Sequence, residues 1–338
     1  MTFSLPTRCP LVAAPMAGGP TTVELCAAVA RAGAFPFLAA GYKTPAALAE
    51  EITELRRHCD TFGVNLFVPS TGEVDRARFA AYAQEISEDA RDLGVELDPH
   101  PVADNGDYWD EKIDLLLAEP VAAVSFTFGL PPRETVRRLQ DKGMSVLLTV
   151  TNQQEARGAQ EVGADALVVQ GAQAGGHSAT FTPEQLPRDI GLTQLLSEVR
   201  QATALPLVAA GGIVRREQVE EVLAAGAIAA AVGTVLLRAS EAGTSDIHRR
   251  ALASAEFSRT VMTRAFTGRP ARALENDFVR RHSATAPDAY PAVHHLTKPL
   301  RQAAAAAGDA QRVHLWAGAG FKDAAQEPAE QIIRALCP

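Results

Sequence analysis

The chain has 338 residues, 47% of them hydrophobic and 21% charged, with a formal net charge of -8. That much apolar material sustains a full core and excludes a disordered chain, while the mild acidity, without any block of like charge, excludes a nucleic-acid surface. No run approaches membrane-spanning length and residues 1–19 lack the basic start and apolar core of a signal peptide, so a cytoplasmic protein without membrane contact is expected.

Residues 11–14 form a short apolar run ended by Pro15, Met16, Gly18 and Gly19, and Thr21 or Thr22 can cap a helix over 23–31. A second strand at 35–39 closes at Gly41 and leads to a helix over 44–58; GVNLF at 63–67 makes a third strand, with Asn65 as its polar interruption. Between 69 and 120 the rhythm loosens into an inserted connection, with helices near 74–93 and 111–118 around a polar irregular piece. Strands recur at 121–126, 145–150, 166–169, 207–210 and 229–232, with helices over 133–142, 153–162, 193–202 and 218–225. Beyond 237 nothing alternates like a strand, and helices are expected over 240–259, 300–307 and 324–336. Cys9, Cys26, Cys59 and Cys337 are scattered without a C-x-x-C pair, so four reduced thiols are expected.

Eight strand-helix units predict an α/β chain whose parallel strands close into a TIM (β/α)8 barrel over 1–238, with the insertion at about 69–120 after the third strand. Residues 239–338 would form a helical layer capping the barrel mouth. An open doubly wound sheet would concentrate its ligand at one switch point; here glycine or polar signals follow six of the eight strands.

The most informative stretch is ALVVQGAQAGGHSATF at 166–181, a buried strand that exits through Gln170 into Gly171, Gly175, Gly176 and His177. Glycine allows close backbone approach, and an imidazole beside it on a mobile loop suits proton transfer. The turns after the last two strands, Gly211-Gly212-Ile213 and Gly233-Thr234, offer main-chain N–H groups to a phosphate. Together they suggest a phosphorylated planar cofactor. Gly318-Ala319-Gly320 is no dinucleotide fingerprint, since it follows no convincing strand. Arg269 and Arg272 are expected to tie helices together through carboxylates such as Glu275, Trp316 and Tyr108 to pack, and His58, His100, His248 and His314 to lie on the surface.

In order along the chain, APMAGG at 14–19, GVNLF, VVQGAQAGGH at 168–177, VAAGGI at 208–213, the Gly233-Thr234 turn and FTGRPAR at 266–272 resemble the nitronate monooxygenases, formerly called 2-nitropropane dioxygenases. The resemblance implies FMN across the barrel mouth, contacted by Ala14, Pro15, Met16, Asn65, Gln170, Gly175, Gly176, Gly211, Gly212, Ala231, Val232, Gly233 and Thr234. It makes His177 the base toward a nitroalkane carbon and places Tyr290, His294 and Lys298 against the substrate. The implied reaction oxidises a nitronate or nitroalkane with O2 to a carbonyl compound and nitrite, in a monomer or homodimer. Four positions depart from the family pattern: Thr127 stands where histidine is usual, Gln173 for glutamate, Ala231 for glutamine and His294 for tyrosine. An FMN-dependent enoyl reductase using NAD(P)H and an acyl carrier is the rival reading, and a diverged flavin-binding protein a further one.

Overall fold

The structure is a computed structural model that describes residues 5, 7–69, 72–102 and 106–338. Residues 103–105 of the irregular piece lie outside it. Short apolar runs bounded by glycine, proline or a polar residue become strands because a strand covered on both faces can bury every side chain. In chain order these are β1 (Leu11–Ala13), β2 (Phe35–Ala39), β3 (Gly63–Phe67), β4 (Ala123–Thr127), β5 (Ser145–Val150), β6 (Ala166–Gln170), β7 (Gly176–His177), β8 (Leu207–Ala210), β9 (Ala229–Val232), β10 (Thr260–Thr263) and β11 (Ala271–Leu274). β1 to β6 with β8 and β9 close into a barrel in sequence order, and β9 returns parallel to β1 with Ala13 opposite Val232. The expected (β/α)8 architecture is therefore present.

Around the barrel run α1 (Val23–Arg31), α2 (Pro45–Leu55), α3 (Arg76–Glu85), α4 (Ser87–Asp92), α5 (Trp109–Ala118), α6 (Arg133–Asp141), α7 (Gln153–Val162), α8 (Leu192–Ala202) and α9 (Arg216–Ala224). Thr22 and Thr44 cap the first two, their hydroxyls accepting from the N–H of Leu25 and Ala47. One apolar core lies between strands and helices, and a second fills the barrel around Val12, Phe35, Phe37 and Leu147. Gly63 makes room inside: a Cβ there would sit 2.2 Å from the Phe37 ring.

The inserted helix over 74–93 is in fact two, α3 and α4, separated at Ile86. They are fastened to the C-terminal region through Asp89, whose side chain is 1% exposed. Arg281 Nη1 donates to its Oδ2 at 2.8 Å and Arg312 Nε to its Oδ1 at 2.7 Å, while His282 Nε2 lies 2.8 Å from Oδ2. His282 Nδ1 reaches Glu85 Oε1 at 2.7 Å, completing a clasp between α3, α4 and α11 (Asp277–His282).

The C-terminal region contradicts the all-helical expectation. The predicted helix over 240–259 shortens to α10 (Asp246–Ala253), and β10 pairs antiparallel with β11, which pairs with β7 from the central loop. Strands this short show no alternation, and their partners lie far apart in sequence. Two further helices, α12 (Ala292–Ala306) and α13 (Ala329–Leu336), complete the layer.

Four reduced thiols were also expected, yet Cys9 and Cys337 form a disulfide. α13 packs on α1 and so carries the chain's end back to the start of β1, a meeting that a separation of 328 residues conceals. Cys26, buried, and Cys59 remain free.

Candidate active site

His177 sits at the exit of β6, half-buried, on a loop held from several directions. Gln170 spends its side-chain amide on that loop: Nε2 donates to His177 O at 3.2 Å and Oε1 accepts from Ala179 N at 2.7 Å. Across β7 and β11, Ala271 stands opposite His177 and Arg272 opposite Gly176. Arg269 donates to the carbonyls of Ser178 and Thr180, Arg272 Nε to Ala172 O at 2.6 Å, and buried Glu155 accepts from Phe181 N at 2.8 Å. The loop expected to be mobile is thus a pinned one. Neither arginine ties helices through Glu275, which pairs with Arg259 instead.

Aromatic rings enclose the imidazole. Trp316 lies 5.3 Å from it between centroids, Tyr290 5.6 Å and Phe128 5.7 Å. The Tyr290 hydroxyl meets that of Tyr42 at 3.2 Å, and Tyr42 stacks on His294 at 4.6 Å with the planes 1° apart. Tyr42 and Phe128 both hold left-handed backbone, at φ 67 and φ 82, which costs aromatic residues free energy and is recovered only where surrounding contacts enforce it. For Tyr42 the enforcement is visible: its N–H donates to Asp107 Oδ1 at 2.9 Å, Asp107 pairs with buried Lys112 at 2.8 Å, and Lys112 Nζ donates to Ala40 O at 2.9 Å. For Phe128, the guanidinium of Arg269 lies 4.0 Å from the ring centre, a cation–π contact.

The electrostatics follow from burial. Desolvation, aided by Arg269 and Arg301, lowers His177 to about 3, so its imidazole is neutral at physiological pH. Its Nε2 lies 2.9 Å from Thr267 Oγ1. Burial lowers Arg269 and Arg301 to about 10, and both remain cations. Among the described residues, neither pairs with a carboxylate.

Beyond the strand ends, glycines of three turns crowd together. A Cβ on Gly212 (φ 73) would lie 2.9 Å from Gln173 Cβ, and one on Gly175 2.4 Å from Gly318 N. Ala14 and Met16 lie against Gly233, where a Cβ would be 3.4 Å from the first side chain and 3.6 Å from the second's sulfur. Thr234 Oγ1 accepts from Gly318 N at 2.9 Å. Among the described residues, no hydrogen bond uses the N–H of Gly212, Ile213, Gly233 or Thr234. The Gly318-Ala319-Gly320 stretch thus belongs to this end, with Ala319 N donating to Gln173 O at 3.0 Å.

Asn65 is buried in the middle of β3, its Nδ2 2.9 Å from Ser125 Oγ and 3.0 Å from Thr127 Oγ1, so the Thr127 departure is matched by a direct bond. Ala231 and Val232 are buried in β9, Ala231 facing the barrel interior. Pro15 joins the β1 exit to Met16, whose N–H donates to Thr21 Oγ1. Lys298 is a correction: it stands exposed on α12, and the buried cation near His294 is Arg301. Tyr290 precedes that helix, so the four-residue spacing does not put the trio on one helical face. His58 and His100 are exposed as expected, but His248 is 8% exposed and His314 lies between Arg301 and Trp316. Sequence reasoning assigned no role to Tyr42, Phe128, Thr267 or Arg301, although the tyrosine beside Gly41, just past a barrel strand, and Thr267 within FTGRPAR carried a signal.

His248 has no partner for Nε2, and burial lowers it to about 4. The unfolded chain takes up this proton near 6.5 and the fold only near 4, so acidification in that window favours unfolding. Stability is expected to fall by about 1.4 kcal/mol per pH unit for this group alone, read as a lower urea midpoint at about pH 5 than at about pH 7. A midpoint that did not move would contradict a neutral buried imidazole.

A closed parallel barrel whose strand exits carry glycine turns and a boxed neutral imidazole has the architecture of a barrel enzyme. A family model described as nitronate monooxygenase matches residues 3–338. A probable nitronate monooxygenase of Bacillus subtilis is 32% identical over 337 residues, covering 97% of this chain and 95% of its own. That of Staphylococcus saprophyticus is 34% identical over 324 residues, covering 94% and 90%. Among solved structures, nitroalkane oxidase from Streptomyces ansochromogenes superposes with TM-score 0.92 at 46% identity, covering 98% of this chain and 95% of its own. FabK from Thermotoga maritima superposes with TM-score 0.74 at 25% identity, covering 98% and 92%. The chain belongs to the nitronate monooxygenase family.

Proposed function

We propose that this chain oxidises alkyl nitronates, and neutral nitroalkanes after deprotonation, with dioxygen on a bound FMN, releasing a carbonyl compound and nitrite. The observation that carries this reading is the pairing of a neutral, boxed His177 with two buried arginines that lack carboxylate partners. Such a grouping offers a base for an acidic C–H bond and a positive potential for the anion that forms.

The residues present fit the cofactor. Among the described residues, four main-chain N–H groups at Gly212, Ile213, Gly233 and Thr234 carry no hydrogen bond and can donate to a phosphate, and the lack of a Cβ at Gly175 and Gly212 lets these turns pack closely on residues 317–318 and on Gln173. These turns would hold the phosphate, with Ala14, Pro15, Met16, Gly176, Gly211, Ala231 and Val232 along the remainder. Gln170 would act there chiefly by shaping the strand end, since both ends of its amide already bond protein groups, and Asn65 is held in place through its Nδ2. When bound, the flavin supplies the electron transfer between substrate and dioxygen.

The chain's own residues supply the rest. Thr267 Oγ1 lies 2.9 Å from His177 Nε2 and 3.4 Å from the Arg269 carbonyl; when the hydroxyl donates to that carbonyl, it accepts from His177 Nε2–H and the imidazole's free lone pair is on Nδ1. Nδ1 takes the proton from the nitroalkane carbon, and the Tyr42 and Tyr290 hydroxyls orient the nitro oxygens.

The test begins with colour. Purified protein should be yellow, release FMN on denaturation, consume oxygen and form nitrite with a nitronate, and leave its flavin oxidised when mixed with NADPH. Rapid bleaching by NADPH with no response to nitronate would refute the assignment in favour of a reductase.

A further inference from the structure

We propose that Arg301 locks His294 in the Nε2–H tautomer, so that the substrate cavity presents a neutral donor backed by a fixed cation where the sequence pattern placed Lys298. The inference rests on the cavity being a nitronate site; the tautomer itself does not.

Arg301 is 6% exposed and every bond it makes is to a neutral group. Nη2 donates to His294 O at 2.8 Å and faces His294 Nδ1 at 3.4 Å; Nε donates to Thr297 Oγ1 at 3.0 Å; Nη1 lies 3.2 Å from His314 Nδ1. Thr297 in turn donates to Phe266 O at 2.6 Å, so its lone pairs are what the guanidinium uses. A guanidinium can only donate. The His294 Nδ1 facing it therefore carries the lone pair, and the ring's proton resides on Nε2. Among the described residues, no hydrogen bond uses that Nε2, and it is not sealed in the interior.

The ring lies within the box. It stacks on Tyr42, the Tyr42 hydroxyl meets Tyr290, and the Tyr290 ring abuts His177. The titratable and charged groups around His294 are Arg301, His295 and Lys298 on its own helix, Tyr42 from the turn after β2, His177 from the central loop and, behind Arg301, His314. Asp107 is held away on Tyr42 N and Lys112. With burial as the main cause and Arg301 and Lys298 on its own helix adding to it, the imidazole stays neutral, its value lowered to about 2. An arriving anion thus meets an N–H donor at all physiological pH values, and His294 becomes a specificity determinant for the ionised substrate, with Arg301 its positioning residue.

The test is two-bond proton–nitrogen NMR on full-length protein carrying nitrogen-15 histidine, with His294→Gln to assign the signal. Wild type should show protonated Nε2 and lone-pair Nδ1, unchanged between about pH 8 and pH 5.5. Arg301→Met should give a mixture of the two neutral tautomers, and Arg301→Lys should restore the lock. In the holoenzyme, Arg301→Met should raise KM for a nitronate about tenfold with a much smaller change in kcat, the size of one lost charge-assisted hydrogen bond. A proton on Nδ1 in wild type overturns the proposal, as does an unchanged tautomer in a folded Arg301→Met; if that variant does not fold, the wild-type and Arg301→Lys spectra decide. The spectra read the protein whether or not it turns over nitronate, so failure of the substrate assignment appears only in the kinetics.

Discussion

His177→Ala is expected to leave the protein yellow while slowing oxidation of neutral nitroalkanes by about 10²- to 10⁴-fold, the range that a positioned general base contributes. Colour survives because the loop's fastenings run through Gln170, Arg269 and Arg272, none of which uses the imidazole. Preformed nitronates need no proton removed, so they should lose much less. The comparison of the two substrates separates a base from a packing residue: the imidazole touches Phe128, Tyr290 and Trp316, and its loss as mere filler would slow both alike. Equal rates with wild type on both substrates would remove His177 from the chemistry. Because the imidazole is neutral down to about pH 3, no loss of activity from its protonation is expected across the physiological range.

Asp89→Asn is expected to lower stability by about 2 to 3 kcal/mol at neutral pH. Burial by itself would raise this carboxyl, but hydrogen bonds from Arg281, Arg312 and His282 outweigh it and hold the group at about 2, against 3.8 for a free aspartate. A carboxylate with a depressed pKa stabilises the fold above its unfolded value, and that contribution fades as pH falls through the folded one. The gap between wild type and variant, measured by urea unfolding, should therefore be full at about pH 7 and narrowed at about pH 3. A gap that was constant with pH would mean that shape, not charge, holds the clasp. The affected contacts join the inserted helices to α11, so the first region to open in the variant should be α3 and α4, visible as faster amide exchange there.

Much of the barrel was legible because its strands are local events. Residues 35–39, 63–67, 145–150, 207–210 and 229–232 are strands at their predicted bounds, since a short apolar run between turn residues needs no knowledge of its partner to be recognised. The three-stranded sheet was hidden for the opposite reason. β7 is Gly176 and His177 alone, and it is a strand only because β11, arriving from a different part of the chain, pairs with it. The same holds for the cations. Arg269 and Arg301 look like ordinary surface arginines until the fold buries one against Phe128 and the other against His294 and His314.

By itself, the sequence determined the eightfold strand-turn-helix rhythm, the glycine turns and the one imidazole that follows them, because periodicity and positive-φ glycine are properties of short segments. Only the tertiary structure decided that the imidazole's loop is pinned, that Lys298 faces solvent while Arg301 is the inward cation, and that the chain's two ends are joined through Cys9 and Cys337. Those outcomes depend on which distant segments exclude water from one another, and exclusion of water sets both the protonation of a histidine and the reach of a charge.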